Sequence, residues 1–180
     1  KAPQTLVGTH LSFPFRGAHP LMAAQLVMYE EEFHRINAVC DRLTKEANSK
    51  VVFLVDKNGQ LISAAGQTQN IDTTSLASLT AGNVAAMGGL AKLIGENEFP
   101  NQFHEGAKDS LYMTIVGSRV VLVVIFDNRT SLGLVRLRIK KACDELTKIF
   151  EGLAKRSEAP GAGSPFAEIS DTDIDNLFSE

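Results

Sequence analysis

The sequence contains few of the residues that build disulfide frameworks or metal sites. Its 180 residues include no tryptophan and two cysteines, Cys40 and Cys143. Two isolated cysteines supply neither a disulfide framework nor a metal site, so we expect reduced core residues of a cytoplasmic protein. No apolar run reaches the roughly 20 residues of a membrane-spanning helix. Residues 1–21 also lack the long apolar core of a secretory signal.

The chain carries no excess of positive charge. Its formal net charge is −3, which gives no reason to expect nucleic acid as a partner. An apolar share of 44% is ordinary for a soluble globular chain. These values predict one compact soluble domain with tails.

Hydrophobic periodicity predicts the order α-β-β-α-β-β-β-α between residues 27 and 156. Strands are expected at 50–56, 60–65, 102–107, 111–116 and 120–126, and the polar third strand suits an edge or a dimer seam. The fold class is therefore α/β (α+β), an antiparallel five-stranded sheet with helices packed on it. The first helix is predicted from apolar residues spaced three or four apart: Tyr29, Phe33, Ile36, Cys40, Leu43 and Ala47. The last helix shows the same spacing at Leu132, Val135, Ile139, Ala142, Leu146, Ile149 and Leu153.

Local signals define several turns and helix ends. Asn58-Gly59 predicts a hairpin with a type I′ turn, which needs a positive φ at both central residues. Asp72 or Thr73 is the expected N-cap of the second helix, and Gly95 its expected end.

Both ends of the chain differ in composition from the domain. Residues 1–26 contain no usable period and are either an extended leader or a non-native extension. Residues 157–165 read as a flexible linker. Residues 166–180 carry five acids and no lysine or arginine, and are either disordered or a short docking helix. The apolar residues that such a helix would place on one side are Ile169, Ile174, Leu177 and Phe178.

The second helix has large apolar residues on one face and small residues on the other. We expect the large face to cover the sheet, and the small face to let another backbone approach closely. That small face fits an internal or homodimer contact, or a docking surface for a different protein. The large residues are Leu76, Leu79, Met87, Leu90, Leu93 and Ile94. The small ones are Ala77, Ser78, Ala81, Ala85, Gly88 and Gly89, with Lys92 the only charge among them.

No set of residues forms a catalytic constellation. The run Gly88–Lys92 lacks the spacing of a phosphate-binding loop and lies within a helix. His34 and His104 have no second metal ligand nearby, and Glu30–Glu32 suit a solvated first helical turn. Arg119 and Arg129 are either arginine fingers or ordinary charges at strand ends, and we favour the second reading. We therefore expect no active site, no metal and no cofactor.

The order of elements resembles the Roadblock/LC7 fold over residues 27–156. The segment 51–62, VVFLVDKNGQLI, is typical of that family. The segments 80–90, TAGNVAAMGGL, and 164–171, SPFAEISD, resemble bacterial members that act with a Ras-like polarity GTPase.

This resemblance implies a GTPase-activating protein that works as a homodimer, two copies engaging one small Ras-like GTPase. GTP and Mg²⁺ would be bound by that partner, and the activator would stabilise its hydrolysis-competent conformation without an arginine finger. The acidic tail would contact the GTPase separately and tune nucleotide exchange. The protein would control cell polarity and gliding motility from the cytoplasm, with recruitment to a cell pole left open. A non-catalytic dimeric scaffold for a motor or polarity complex is the alternative. The resemblance also implies which residues form the docking surface for the GTPase: Ala81, Ala85, Gly88, Gly89 and Lys92.

Overall fold

The structure, a computed structural model, describes residues 30–157, with Ser157 described by its backbone alone. The predictions for the leader, for residues 27–29, for residues 158–165 and for the tail therefore lie outside the described residues. Within the described range the predicted element order is confirmed. The elements are α1 (Glu30–Glu46), β1 (Val51–Asp56), β2 (Leu61–Gly66), α2 (Thr73–Leu93), β3 (Asn101–His104), β4 (Ser110–Val116), β5 (Val120–Phe126) and α3 (Leu132–Ser157).

The five strands form one antiparallel sheet in the order β2-β1-β5-β4-β3. β1 and β5 are buried along most of their length, which explains why each is a continuous apolar run in the sequence. β3 is a polar edge strand, as predicted, but it ends at His104 rather than at residue 107. The chain turns after it, and a Cβ on Gly106 would lie 2.4 Å from the carbonyl oxygen of Asp109.

Helices cover both faces of the sheet. α1 and α3 pack on one face over the main core, which includes Ile36, Leu122 and Leu146. α2 packs on the other face over a smaller core around Phe53 and Val123. The domain therefore has three layers, with α2 alone on its side.

α2 packs in a different orientation from the one predicted. Its sheet-facing residues include Ala77 and Ala91, which are 1% and 0% exposed. Leu79 and Leu93, expected to cover the sheet, are 71% and 84% exposed. The apolar side chains of β1 and β5 already fill this layer, so small residues let the helix lie close. Of the remaining large residues, Leu90 and Ile94 are exposed, whereas Leu76 and Met87 are partly buried.

The ends of α2 are as predicted. The Asp72 side chain caps the helix by accepting a hydrogen bond from the Ser75 backbone N–H at 3.0 Å. Gly95 follows the last residues with a φ of +83°, the left-handed conformation that commonly ends a helix.

The turn between β1 and β2 is not of type I′. Gly59 has a φ of +86°, whereas Asn58 does not have a positive φ. The Asp56 carboxylate accepts hydrogen bonds from the backbone N–H groups of Asn58 and Gln60, at 2.9 and 2.7 Å. The Gly59 N–H donates to the Asp56 carbonyl at 3.0 Å. The aspartate thus stabilises a longer loop with one left-handed residue, which a dipeptide signal does not reveal.

The first turn of α1 also differs from the prediction. Glu32, expected in a solvated turn, is 5% exposed, because the C-terminal end of α3 brings Arg156 next to it. Phe33, expected on the buried stripe, is 41% exposed. Ile36 and Cys40 are fully buried and confirm the rest of that stripe.

Candidate protein-binding surface

An open groove runs along α2 on its side of the sheet. Its volume is about 370 Å³. The opposite wall is formed by the segment before β3, by β4 and by the turn after β1. The structure thus brings all five predicted partner-binding residues together, while their role in binding stays a prediction. The groove is lined by Ala81, Val84, Ala85, Gly88, Gly89 and Lys92 of α2, and by Lys57, Asn97, Glu98, Phe99 and Ile115.

The glycines of α2 face open space. A Cβ built on Gly82, Gly88 or Gly89 would meet nothing within 4 Å. Packing among the described residues therefore does not require glycine at these positions, although each weakens a helix by about 1 kcal/mol relative to alanine. Gly88 and Gly89 instead widen the groove, which leaves room for the backbone or side chains of a second molecule.

An exposed apolar surface lies beside the groove on the same helix. Sequence reasoning missed it, because the large stripe of α2 was assigned to the sheet. The signal that could have identified it is the apolar character of β1 and β5, whose side chains leave room only for small residues. Apolar patches of this kind mark interaction surfaces when they are contiguous. The apolar surface consists of Leu79, Leu90, Leu93 and Ile94.

The structure gives no support for an arginine finger at Arg119 or Arg129. The Arg129 guanidinium donates to both carboxylate oxygens of Asp127, at 2.9 and 3.1 Å. Hydrogen bonds from Arg129 in turn lower the pKa of Asp127. Arg119 is exposed in the turn before β5, where its backbone carbonyl accepts a hydrogen bond from the Lys57 N–H at 2.9 Å.

The cysteines and histidines form no reactive site in the described part of the chain. Burial raises the pKa of Cys40 and of Cys143 to about 11, so both thiols are protonated at neutral pH. His34 and His104 are exposed, and residues 30–157 contain no group of three or more His, Cys, Asp or Glu that could hold a metal ion. No helix in the same range is long and apolar enough to cross a membrane.

Comparison with known proteins identifies the family. Residues 35–126 match the Roadblock/LC7 domain. The structure of Myxococcus xanthus MglB is 94% identical, covers 71% of this chain and 96% of that chain, and has a TM-score of 0.68. The gliding protein MglB of Thermus thermophilus is 32% identical over the same shares, with a TM-score of 0.67. A structure described as MglB with tetrameric arrangement is 31% identical, again over 71% and 96%, with a TM-score of 0.68. No match is found among curated proteins.

The chain therefore belongs to the Roadblock/LC7 domain family. Within that family it is similar to MglB, which confirms the resemblance seen in its sequence.

Proposed function

We propose that the chain is a regulator of a small Ras-like GTPase of the MglA type, and that it accelerates GTP hydrolysis by that partner. The α2 groove is the observation that carries this proposal, because it gathers the five residues that the resemblance implies for docking. Similarity to MglB, described in Thermus thermophilus as a gliding protein, supports a role in gliding motility. Control of cell polarity is added because the sequence resemblance implies it. The chain would act on the GTPase in the cytoplasm and would be recruited to a cell pole.

The groove residues suit binding rather than chemistry. Lys57, Lys92 and Glu98 are its charged side chains, and no nucleophile lies beside a base there. GTP and Mg²⁺ would belong to the partner. A regulator of this kind binds the hydrolysis-competent conformation of the GTPase more tightly than the others, and so raises its population. The proposal assigns no arginine finger to the chain, and the pairing of Arg129 with Asp127 agrees with this.

We infer that the chain works as a homodimer. Leu79, Leu93 and Ile94 are exposed on α2, and the outer edge of β3 pairs with no described strand. A second copy laid along these elements would bury the apolar side chains and extend the sheet. The two α2 grooves would then lie near each other, so that two copies could engage one GTPase.

The acidic tail forms a separate part of the proposal. Ile169, Ile174, Leu177 and Phe178 would contact the GTPase apart from the groove and tune nucleotide exchange. Deletion of the tail after Arg156 should leave dimerisation intact but weaken binding of the GTPase. Unchanged affinity of the truncated chain would contradict this role.

Charge placed in the groove tests the docking surface. Ala85→Arg and Gly89→Arg should abolish both binding of the GTP-loaded partner and stimulation of hydrolysis, because the bulky cations fill the groove. Gly152→Arg is the matched control. Gly152 lies on α3, which covers the opposite face of the sheet from α2, and a Cβ there meets nothing within 4 Å. Normal stimulation by either groove variant would place the docking surface elsewhere.

A dimeric scaffold for a motor or polarity complex is the second candidate. The absence of reactive groups among the described groove residues is as consistent with a scaffold as with a GTPase activator. A scaffold would bind the GTPase through the same surface but leave its hydrolysis rate unchanged, so a turnover assay separates the two functions. Size-exclusion chromatography with light scattering, on partner loaded with GDP or a GTP analogue, would report stoichiometry and nucleotide preference.

A further inference from the structure

A second groove lies between α1 and α3, on the face of the sheet opposite α2. Its volume is about 290 Å³. Val39 and Ile149, each 5% exposed, form an apolar floor, and the exposed Ala38 widens it. The groove is therefore separate from the α2 groove and from the apolar surface of α2. Its lining residues are Arg35, Ala38, Val39, Arg42, Glu145, Lys148 and Ile149.

Cations outnumber anions along this groove. Arg42 forms ion pairs with Glu145 and with Glu46, so its charge is compensated. Arg35 and Lys148 are exposed and form no ion pair with any described residue. An apolar floor between uncompensated positive charges suits an acidic segment with apolar residues. Lys141 continues the row of cations along α3.

We propose that the acidic tail of the same chain, residues 166–180, docks in this groove. The tail carries five acids and no lysine or arginine, which complements Arg35, Lys141 and Lys148. Its apolar side chains complement the floor formed by Val39 and Ile149. These apolar side chains are Ile169, Ile174, Leu177 and Phe178.

The linker is long enough for this arrangement. Residues 158–165 separate the end of α3 from the tail, and when extended they span at most about 29 Å. Lys148 lies only about 14 Å before Ser157 along the helix axis, at a rise of about 1.5 Å per residue. The tail can therefore fold back beside α3. A short tether also raises the local concentration of the tail to the millimolar range, so that weak surface ion pairs suffice.

Docking in this groove would limit what the tail can contact elsewhere. The apolar residues that cover Val39 and Ile149 are the same ones proposed to contact the GTPase. The groove and the GTPase would then compete for the tail, so that self-docking sets how readily it reaches the partner. This consequence rests on the proposed function, whereas the docking itself does not.

Zero-length carbodiimide cross-linking of the full chain, followed by mass spectrometry, tests the docking without any GTPase. The reagent joins a lysine Nζ to a carboxylate in direct contact, so we expect links from Lys148 and Lys141 to the tail acids. Lys140 is the internal control, because it lines a different cavity, between α3 and β4. Equal linking of Lys140 and Lys148 would overturn the proposal.

Variants and isotopes make the test specific. Arg35→Glu should lower the yield of the Lys148 link about tenfold, because an attraction becomes a repulsion. Arg35→Lys should keep that yield, and Lys140→Glu should not change it. Mixing isotopically labelled and unlabelled chains separates links within one chain from links between copies. Links found only between copies, or a yield unaffected by Arg35→Glu, would contradict docking in the chain's own groove.

Discussion

Arg156 and Glu32 join the two ends of the described domain. The Arg156 Nη1 donates to Glu32 Oε1 at 2.5 Å, across 124 positions of sequence. The Glu32 side chain is 6% exposed, so the carboxylate depends on this partner, and its Oε2 has none within the described residues. The contact closes the last turn of α3 over the first turn of α1, at the point from which the linker and the tail extend.

Loss of this contact should destabilise the domain. Arg156→Ala would leave a buried carboxylate without its cationic partner, and we expect the free energy of unfolding to fall by about 1–3 kcal/mol. Urea denaturation of the variant measures the change. Lys155→Ala, at an exposed neighbouring position, is the control and should stay within about 0.5 kcal/mol of the parent. Equal stability of Arg156→Ala and the control would mean that solvent satisfies Glu32.

The packing of small residues under α2 yields a second prediction. Ala77→Leu should lower the free energy of unfolding by about 1–3 kcal/mol, because Ala77 is 1% exposed against the sheet and a larger side chain overpacks that layer. Ala85→Leu, on the same helix but exposed in the groove, should have little effect. Thermal denaturation of both variants compares them. The reverse ranking would support the orientation of α2 that was expected from its sequence.

Two glycines should respond to alanine with opposite signs. Gly66 has a φ of +93°, and a Cβ there would lie 2.2 Å from the Lys50 carbonyl oxygen. Gly66→Ala should therefore destabilise the domain by about 2 kcal/mol or more. Gly152 lies within α3, and its Cβ would meet nothing within 4 Å, so Gly152→Ala should stabilise by about 0.5–1 kcal/mol. Chemical denaturation of the two variants would contradict this account if both shifts had the same sign.

The cap of α2 should contribute a pH-dependent stability. Hydrogen bonds from the Ser75 hydroxyl and backbone N–H lower the pKa of Asp72 below its usual 3.8. A lowered pKa in the folded state stabilises the fold above pH 3.8, and this stabilisation is lost as the pH falls through the lowered value. Asp72→Asn should therefore be less stable than the parent at pH 7, and the gap should narrow well below pH 3.8. Unfolding free energies measured across that range would refute the prediction if the gap stayed constant.

Much of the fold could be predicted because it follows from local patterns. β1 and β5 are continuous apolar runs, the pattern of strands that are covered on both faces. The ends of α2 follow from the capping by Asp72 and the left-handed φ of Gly95. These features depend on a few adjacent residues, so a single sequence contains the information for them.

The predictions that were wrong concern features that depend on contacts between distant elements. The orientation of α2 depends on how much space the side chains of Phe53 and Val123 leave, which the helical pattern does not show. Glu32 is buried because α3 ends beside it. Periodicity places the groove residues of α2 on its small face, and the resemblance adds their docking role. The second wall of the groove, including Phe99 and Ile115, is visible only in the structure.

The rate of GTP hydrolysis by the small Ras-like partner, measured in single turnover with and without the chain, tests the central claim most directly. A GTPase whose competent conformation is populated at about 1–10% should be accelerated roughly 10- to 100-fold when the chain selects that conformation. The acceleration should saturate with the concentration of the chain, persist with Gly152→Arg and disappear with Gly89→Arg. Binding of the GTP-loaded partner with an unchanged rate of hydrolysis would contradict the account and identify the chain as a scaffold.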